Sequence, residues 1–158
     1  MLVPGEHIID PWSAPLAYAL QALAHGAEIR RGFEVVSAAR ANDQWRLANA
    51  AGEAVHARIV VNAAGNFGDL VERLVRQPPF TMKPRRGQFV VFDKPAAKLV
   101  SAIILPVPSE RTKGVVLFRT AFGNLAIGPT AEDVDEREVA ATDTRTLQRL
   151  RERAFEMV

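Results

Sequence analysis

Arg58-Ile59-Val60-Val61-Asn62-Ala63-Ala64-Gly65 decides how this chain is read, because an apolar run stops abruptly at a turn built of small residues. Ile59, Val60 and Val61 carry the stiff side chains favoured in strands, and three in succession predict a buried strand rather than one with a wet face. The turn after them matters for steric reasons. With two alanines and a glycine, the backbone can come close to a flat or phosphorylated ligand, and a following helix offers N–H groups from its first turn. Such a turn also serves plain helix-strand packing, so the residues around it have to separate the two uses.

Upstream, Leu16, Leu20, Leu23 and Ala24 recur at helical spacing. A start near Asp10-Pro11 or Ser13 supplies a short polar cap and an early proline, and His25-Gly26 supplies the left-handed stop. Glu28 to Arg30, Phe33 to Ala39, Trp45 to Ala50 and Val55 to Val61 read as the strands of a small meander. Turn signals separate them at Arg31-Gly32, Asn42-Asp43 and Ala51-Gly52-Glu53. Downstream, Leu70, Val71, Leu74 and Val75 predict a short helix from about Gly68 to Arg76, blocked by Pro78-Pro79. Arg86 to Asp93, Ala102 to Leu105, Val115 to Phe118 and Leu125 to Ile127 then read as an antiparallel sheet. From Asp143 the pattern is helical again, with Leu147, Leu150, Ala154 and Val158 on one side and arginines on the other. No glycine cap follows Val158, so the chain is expected to end inside that helix.

Composition bounds the function. A length of 158 residues suits one compact domain, and 48% hydrophobic with 24% charged residues is ordinary globular usage. The formal charge is +2, and the 20 basic and 18 acidic side chains are interspersed, which argues against a nucleic-acid partner. No cysteine occurs, excluding disulfides, thiolate metal sites and a cysteine nucleophile, and suiting a reducing cytoplasm. The longest apolar stretch, Leu99 to Pro108, is broken by Ser101 and prolines, so no membrane span is expected. Met1 to Asp10 lacks the features of a signal peptide, and the expected location is cytoplasmic. Neither G-x-G-x-x-G, a P-loop, G-x-S-x-G nor H-E-x-x-H occurs. His7, His25 and His56 are isolated, so no metal site is expected and no catalytic base is assigned.

The order of elements carries more information than any one motif. Ile9-Asp10-Pro11, Val60-Val61-Asn62-Ala63-Ala64-Gly65, Lys83-Pro84-Arg85-Arg86-Gly87-Gln88-Phe89 and the segment from Gly123 to Asp133 occur in that sequence. Together they resemble FAD-dependent oxidoreductases of the D-amino-acid oxidase and glycerol-3-phosphate dehydrogenase superfamily, over nearly the whole chain. The first looks like the entry to the family's helix, the second like a flavin-contacting motif and the third like the strand opening the substrate domain. The last is similar to the G-N-x-x-x-G-P-T-A-E-D segment of the branch that includes glycerol-3-phosphate and 2-hydroxy-acid dehydrogenases.

The resemblance implies an α+β fold derived from an α/β FAD-binding fold. Residues 1–79 would be a partial FAD-binding domain, 80–141 a mostly antiparallel substrate-domain sheet, and 142–158 a truncated helix. It implies FAD as cofactor, weakly bound or absent in this chain, with Val35 at the adenine end and Ala63, Ala64 and Gly65 along the dinucleotide. On the residues alone, Val35 is equally a packed strand residue. A small anionic substrate is the implied partner, held by Arg86 and Arg119, with Arg85 and Lys113 as further candidates, since arginine's fork suits carboxylate and phosphate. Arg119 departs from the family pattern, where a small residue or proline is more usual. The family's N-terminal G-x-G-x-x-G unit is missing, as is a later segment returning to the flavin ring. The implied function is therefore that of an internal fragment of an enzyme transferring hydride from a small anionic alcohol or amine to flavin, inactive by itself. Its exposed apolar surface would favour self-association. The alternative is a non-catalytic binding or interaction module derived from the substrate domain.

Overall fold

A computed structural model describes residues 3–107 and 114–158. The fold is α+β, with mostly antiparallel sheets and two longer helices. It divides into two compact units. One comprises residues 1–26, 85–134 and 138–158, and the other residues 27–84 and 135–137.

In the second unit, β1 (Ser37–Ala41), β2 (Gln44–Ala48) and β3 (Ala54–Ala57) form an antiparallel meander in sequence order. Asn42 and Asp43 link β1 to β2 with φ of 50° and 59°, the left-handed pair that a two-residue hairpin turn demands and that Asn and Asp tolerate best. This turn fixes the register, Ala41 opposite Gln44, and β1 therefore begins and ends later than the alternation from Phe33 to Ala39 predicts. The expected strand from Glu28 to Arg30 forms no ladder; those residues are joined instead by an exposed Arg30–Glu28 ion pair at 3.3 Å. Ile59, Val60 and Val61 correct the sequence reading. They are outside any strand and exposed to 81%, 37% and 81%, because burying a β-branched run needs partners on both faces and no described residue pairs with it. After a 3-10 turn over Gly65–Phe67 comes α2 (Gly68–Arg73), shorter than the apolar spacing predicts.

The first unit is organised by β5 (Val90–Phe92), β6 (Val116–Arg119) and β7 (Leu125–Gly128), in the spatial order β5-β7-β6. All four residues of the central β7 are buried. An isolated bridge from Ile104 to Leu117 is what remains of the strand expected at Ala102 to Leu105. A second ladder pairs β4 (Arg85–Arg86) with β8 (Glu132–Asp133). Against the three-stranded sheet lies α3 (Thr144–Glu156), whose Leu150 and Ala154 join Leu117, Leu125 and Ile127 in one core. Leu117 and Ile127 are fully buried, each contributing about 1.5–3 kcal/mol of hydrophobic stabilisation. The buried face of α3 runs through Thr146, Leu150 and Ala154, while Val158 of the expected face is 54% exposed. Helix α1 (Ser13–Ala24) ends as the sequence predicts, with His25 as cap and Gly26 at φ 86°, and buries none of its residues.

Gly128 is required by its surroundings. Its φ is 145°, and a Cβ there would sit 2.7 Å from the Gln88 carbonyl oxygen and 2.5 Å from Phe89 Cδ1. The close approach of β7 to the entry of β5 depends on that missing side chain.

Candidate functional site

The small-residue turn is held from both sides. Before it, Asn62 Nδ2 donates to the Gly68 carbonyl at 2.8 Å, while Asn62 Oδ1 accepts from the Ala64 amide at 3.3 Å. Behind it, the Phe67 amide donates to the Ala64 carbonyl at 3.0 Å. Gly65 adopts φ 55°, a left-handed conformation that glycine enters without steric cost. Apart from its two chain neighbours, no described residue has an atom within 4 Å of a Cβ built on Gly65, and Ala63 and Gly65 are exposed. The turn thus presents bare backbone towards open space. Val35 belongs to the same unit, half-buried and just ahead of β1, where the Val36 amide donates to the Ala48 carbonyl at 2.9 Å.

Two residues that sequence reasoning passed over complete this region. Asp69, at the start of α2, has a side chain only 1% exposed and accepts from Arg137 Nη1 and Nη2 at 2.6 and 3.0 Å and from the Met82 amide at 3.2 Å. Arg137 Nη1 also donates to the Asn66 carbonyl at 2.5 Å, and Asn66 Nδ2 donates to the Arg137 carbonyl at 3.3 Å. Hydrogen bonding from Arg137 holds the Asp69 carboxyl far below the usual carboxylate range, outweighing the opposing effect of burial. Glu72 is likewise lowered, first by Arg76 and then by Asn62. The one sequence signal for Asp69 was an acidic residue in a helix's first turn. Nothing local marks Arg137, which lies 68 residues away.

In the first unit, Arg86 faces Glu132, with Nη2 and Nε 2.6 and 3.2 Å from Glu132 Oε2, and its side chain is about a quarter exposed. Gln88, 2% exposed, is the hub of this cluster. Its Nε2 donates to Glu132 Oε1 at 3.0 Å and to Asp143 Oδ2 at 2.7 Å, and its Oε1 accepts from the Asp143 amide at 2.9 Å. Asp143 also caps α3 by accepting from the Thr146 amide at 2.9 Å, and its pKa falls to about 2, chiefly through the bond from Gln88. Arg119 is directed elsewhere, donating from Nε to the Ala97 carbonyl at 2.7 Å, so the two arginines share no bonding partner among the described residues. Arg85 pairs with Asp133 at 2.7 Å and also borders an open cleft of about 520 Å³ with Thr130, Thr146, Arg149 and Arg153. Lys113 lies outside the described residues.

One unit has a strand meander followed by a glycine turn, the other an antiparallel sheet packed against a helix, and both sets of elements are expected in part of a flavoprotein oxidoreductase. Comparison with known proteins supplies the family: its model, described as FAD dependent oxidoreductase (DAO), matches residues 1–158, and the chain belongs to that family. It is similar to a glycerol 3-phosphate dehydrogenase of Caloramator mitchellensis, 34% identical over 140 residues, covering 89% of this chain and 29% of that protein. A glycerol 3-phosphate oxidase of Mycoplasma pneumoniae is 27% identical over 146 residues, covering 90% of this chain and 38% of the oxidase. An L-2-hydroxyglutarate dehydrogenase of Salmonella houtenae is 27% identical over 153 residues, covering 91% and 36% respectively. The chain therefore spans well under half the length of these relatives. Among the described residues, no helix is long and apolar enough to cross a membrane. The exposed, side-chain-poor turn with open space at Gly65 fits the dinucleotide that this family uses.

Proposed function

We propose that this chain carries one part of a flavin site, the turn Ala63-Ala64-Gly65 together with Val35, within a protein that oxidises a small anionic alcohol or amine. The observation carrying this reading is the turn itself: a left-handed Gly65 between bracketing hydrogen bonds, with exposed backbone and, among the described residues other than its chain neighbours, no atom where a side chain would project. Bound FAD supplies two-electron acceptor chemistry, which no protein side chain provides. The chain's own contribution is to present a fixed backbone edge at residues 63–65 and packing at Val35. Residues 1–79 are read as the partial FAD-binding region and 80–141 as the substrate sheet. Arg86 and Arg119 are assigned to the substrate's anionic group. For Arg86 this role means sharing its fork with Glu132. The names of the relatives, which act on glycerol 3-phosphate or 2-hydroxyglutarate, support a phosphate- or carboxylate-bearing substrate.

Half a site binds weakly. Titration with millimolar FAD is expected to shift the backbone amide resonances of Val35, Ala63, Ala64 and Gly65 and few others. Absence of any shift there overturns the flavin assignment, and stoichiometric FAD surviving gel filtration overturns the claim that the site is partial. The exposed apolar residues of α1 and of 59–61, among them Tyr18 at 79% and Ile59 at 81%, support self-association of the isolated chain. Sedimentation velocity tests this: mass should rise with concentration, and a monomer at every concentration favours a non-catalytic interaction module that closes its own core.

A further inference from the structure

We propose that Arg137 and Asp69 are positioning residues for the cofactor turn, gripping it at Asn66 as Asn62 grips it from the other side; the inference rests on the flavin reading of residues 63–65. The geometry separates this pair from an ordinary ion pair. One guanidinium nitrogen of Arg137 is shared between Asp69 Oδ1 and the carbonyl of Asn66, the residue directly after Gly65, and the other nitrogen bonds Asp69 Oδ2. The Asn66 side chain returns a bond to the Arg137 carbonyl, so the two residues are latched reciprocally. Asp69 is itself anchored by the Met82 amide and is 1% exposed, which leaves Arg137 little freedom to swing. At the opposite end, Asn62 bonds Gly68. Ala63, Ala64 and Gly65 lie between these two grips and have no side chains able to fix their own conformation.

A buried ion pair by itself is weak grounds for stability, since apolar residues of similar volume often replace it without loss. What apolar residues cannot replace is the bond to the Asn66 carbonyl. Lysine is also a poor substitute, because a single ammonium does not reproduce a fork that reaches a carboxylate and a carbonyl together. The gain is preorganisation: a turn already in its bound conformation pays no ordering penalty when the ligand arrives.

The test uses the full chain with Arg137→Gln, Arg137→Lys and the double variant Arg137→Met/Asp69→Leu. Hydrogen exchange reports the hydrogen-bonded amides of Ala64, Phe67 and Gly68, with β5 and β7 as internal reference, and the FAD titration above reports affinity. In Arg137→Gln, exchange at Ala64, Phe67 and Gly68 is expected to rise at least tenfold, with β5 and β7 unchanged and FAD affinity at 63–65 weakened at least tenfold. Arg137→Lys should recover only part of that loss. The double variant should regain thermal stability without regaining FAD affinity, whereas a merely structural role predicts that both return. Equal FAD titrations for wild type and a folded Arg137→Gln overturn the positioning role and leave the flavin reading intact. Unchanged exchange at Ala64, Phe67 and Gly68 overturns it as well. A wild-type chain whose 63–65 amides ignore FAD overturns the flavin reading, and the positioning role falls with it.

Discussion

The unit containing β5, β6 and β7 buries Leu117, Leu125, Ile127 and Leu150 in one apolar cluster, whereas the unit containing β1 to β3 and α2 has the carboxylate Asp69 as its most buried large side chain. In the meander itself Ala48 is the buried residue, at 4% exposure. The first unit is thus held by area removed from water, a non-directional force that needs only apolar residues of fitting volume. The second is held around the turn by directional bonds from Asn62, Asn66 and Arg137. Directional bonds fix a backbone conformation more tightly than apolar packing does, which suits a segment whose exposed backbone meets a ligand.

The largest effect should come from breaking the apolar side of this contrast. Leu117→Ala removes a fully buried side chain at the centre of the sheet and should lower unfolding free energy by about 2–5 kcal/mol in urea titration, whereas half-buried Leu47→Ala in the meander should cost about 1 kcal/mol. Equal losses at the two sites would erase the distinction. Gly128→Ala comes next, at about 1–3 kcal/mol, because the new methyl meets the Gln88 carbonyl and Phe89 in a left-handed backbone. A stability unchanged by that substitution would show that β7 can shift away from β5.

Polar contributions should show in acid. Asp143 has a pKa lowered to about 2 in the folded chain, against an ordinary value of about 4, so its contribution is complete above the unfolded pKa and disappears as pH falls towards 2. Asp69 is lowered by Arg137 and acts in the same direction. The wild-type thermal midpoint should therefore drop between about pH 4 and about pH 2. In Asp143→Asn that drop should be shallower, and an identical acid profile for the variant would remove Asp143 from the account. The smallest effect belongs to the exposed hairpin, where Arg40 sits 5.9 Å from the Trp45 ring centre. Arg40→Ala should cost about 0.5–1 kcal/mol, and a larger loss would mean that the meander leans on this contact more than its exposure implies.

Elements with a local cause were readable in the chain. Asn42-Asp43 marked a turn, His25-Gly26 marked the end of α1, Asp143 marked the start of α3, and Leu125 to Ile127 read as a strand, and each stands where the chain indicated. The family, too, was legible from four short motifs in order, and the matching family model covers residues 1–158. Polar hubs were not legible. Gln88 gathers Glu132 and Asp143 from 44 and 55 positions away, and no periodicity or spacing announces such a meeting.

The sequence by itself determined that residues 62–65 form a small, glycine-bearing turn after an apolar run, since residue size and backbone freedom are local properties. The tertiary structure decided the rest: the run before the turn stands exposed instead of in a sheet, and the turn's rear grip is an arginine from residue 137. Burial and ion pairing depend on which distant groups arrive at the same place, and a linear chain does not carry that in any one segment.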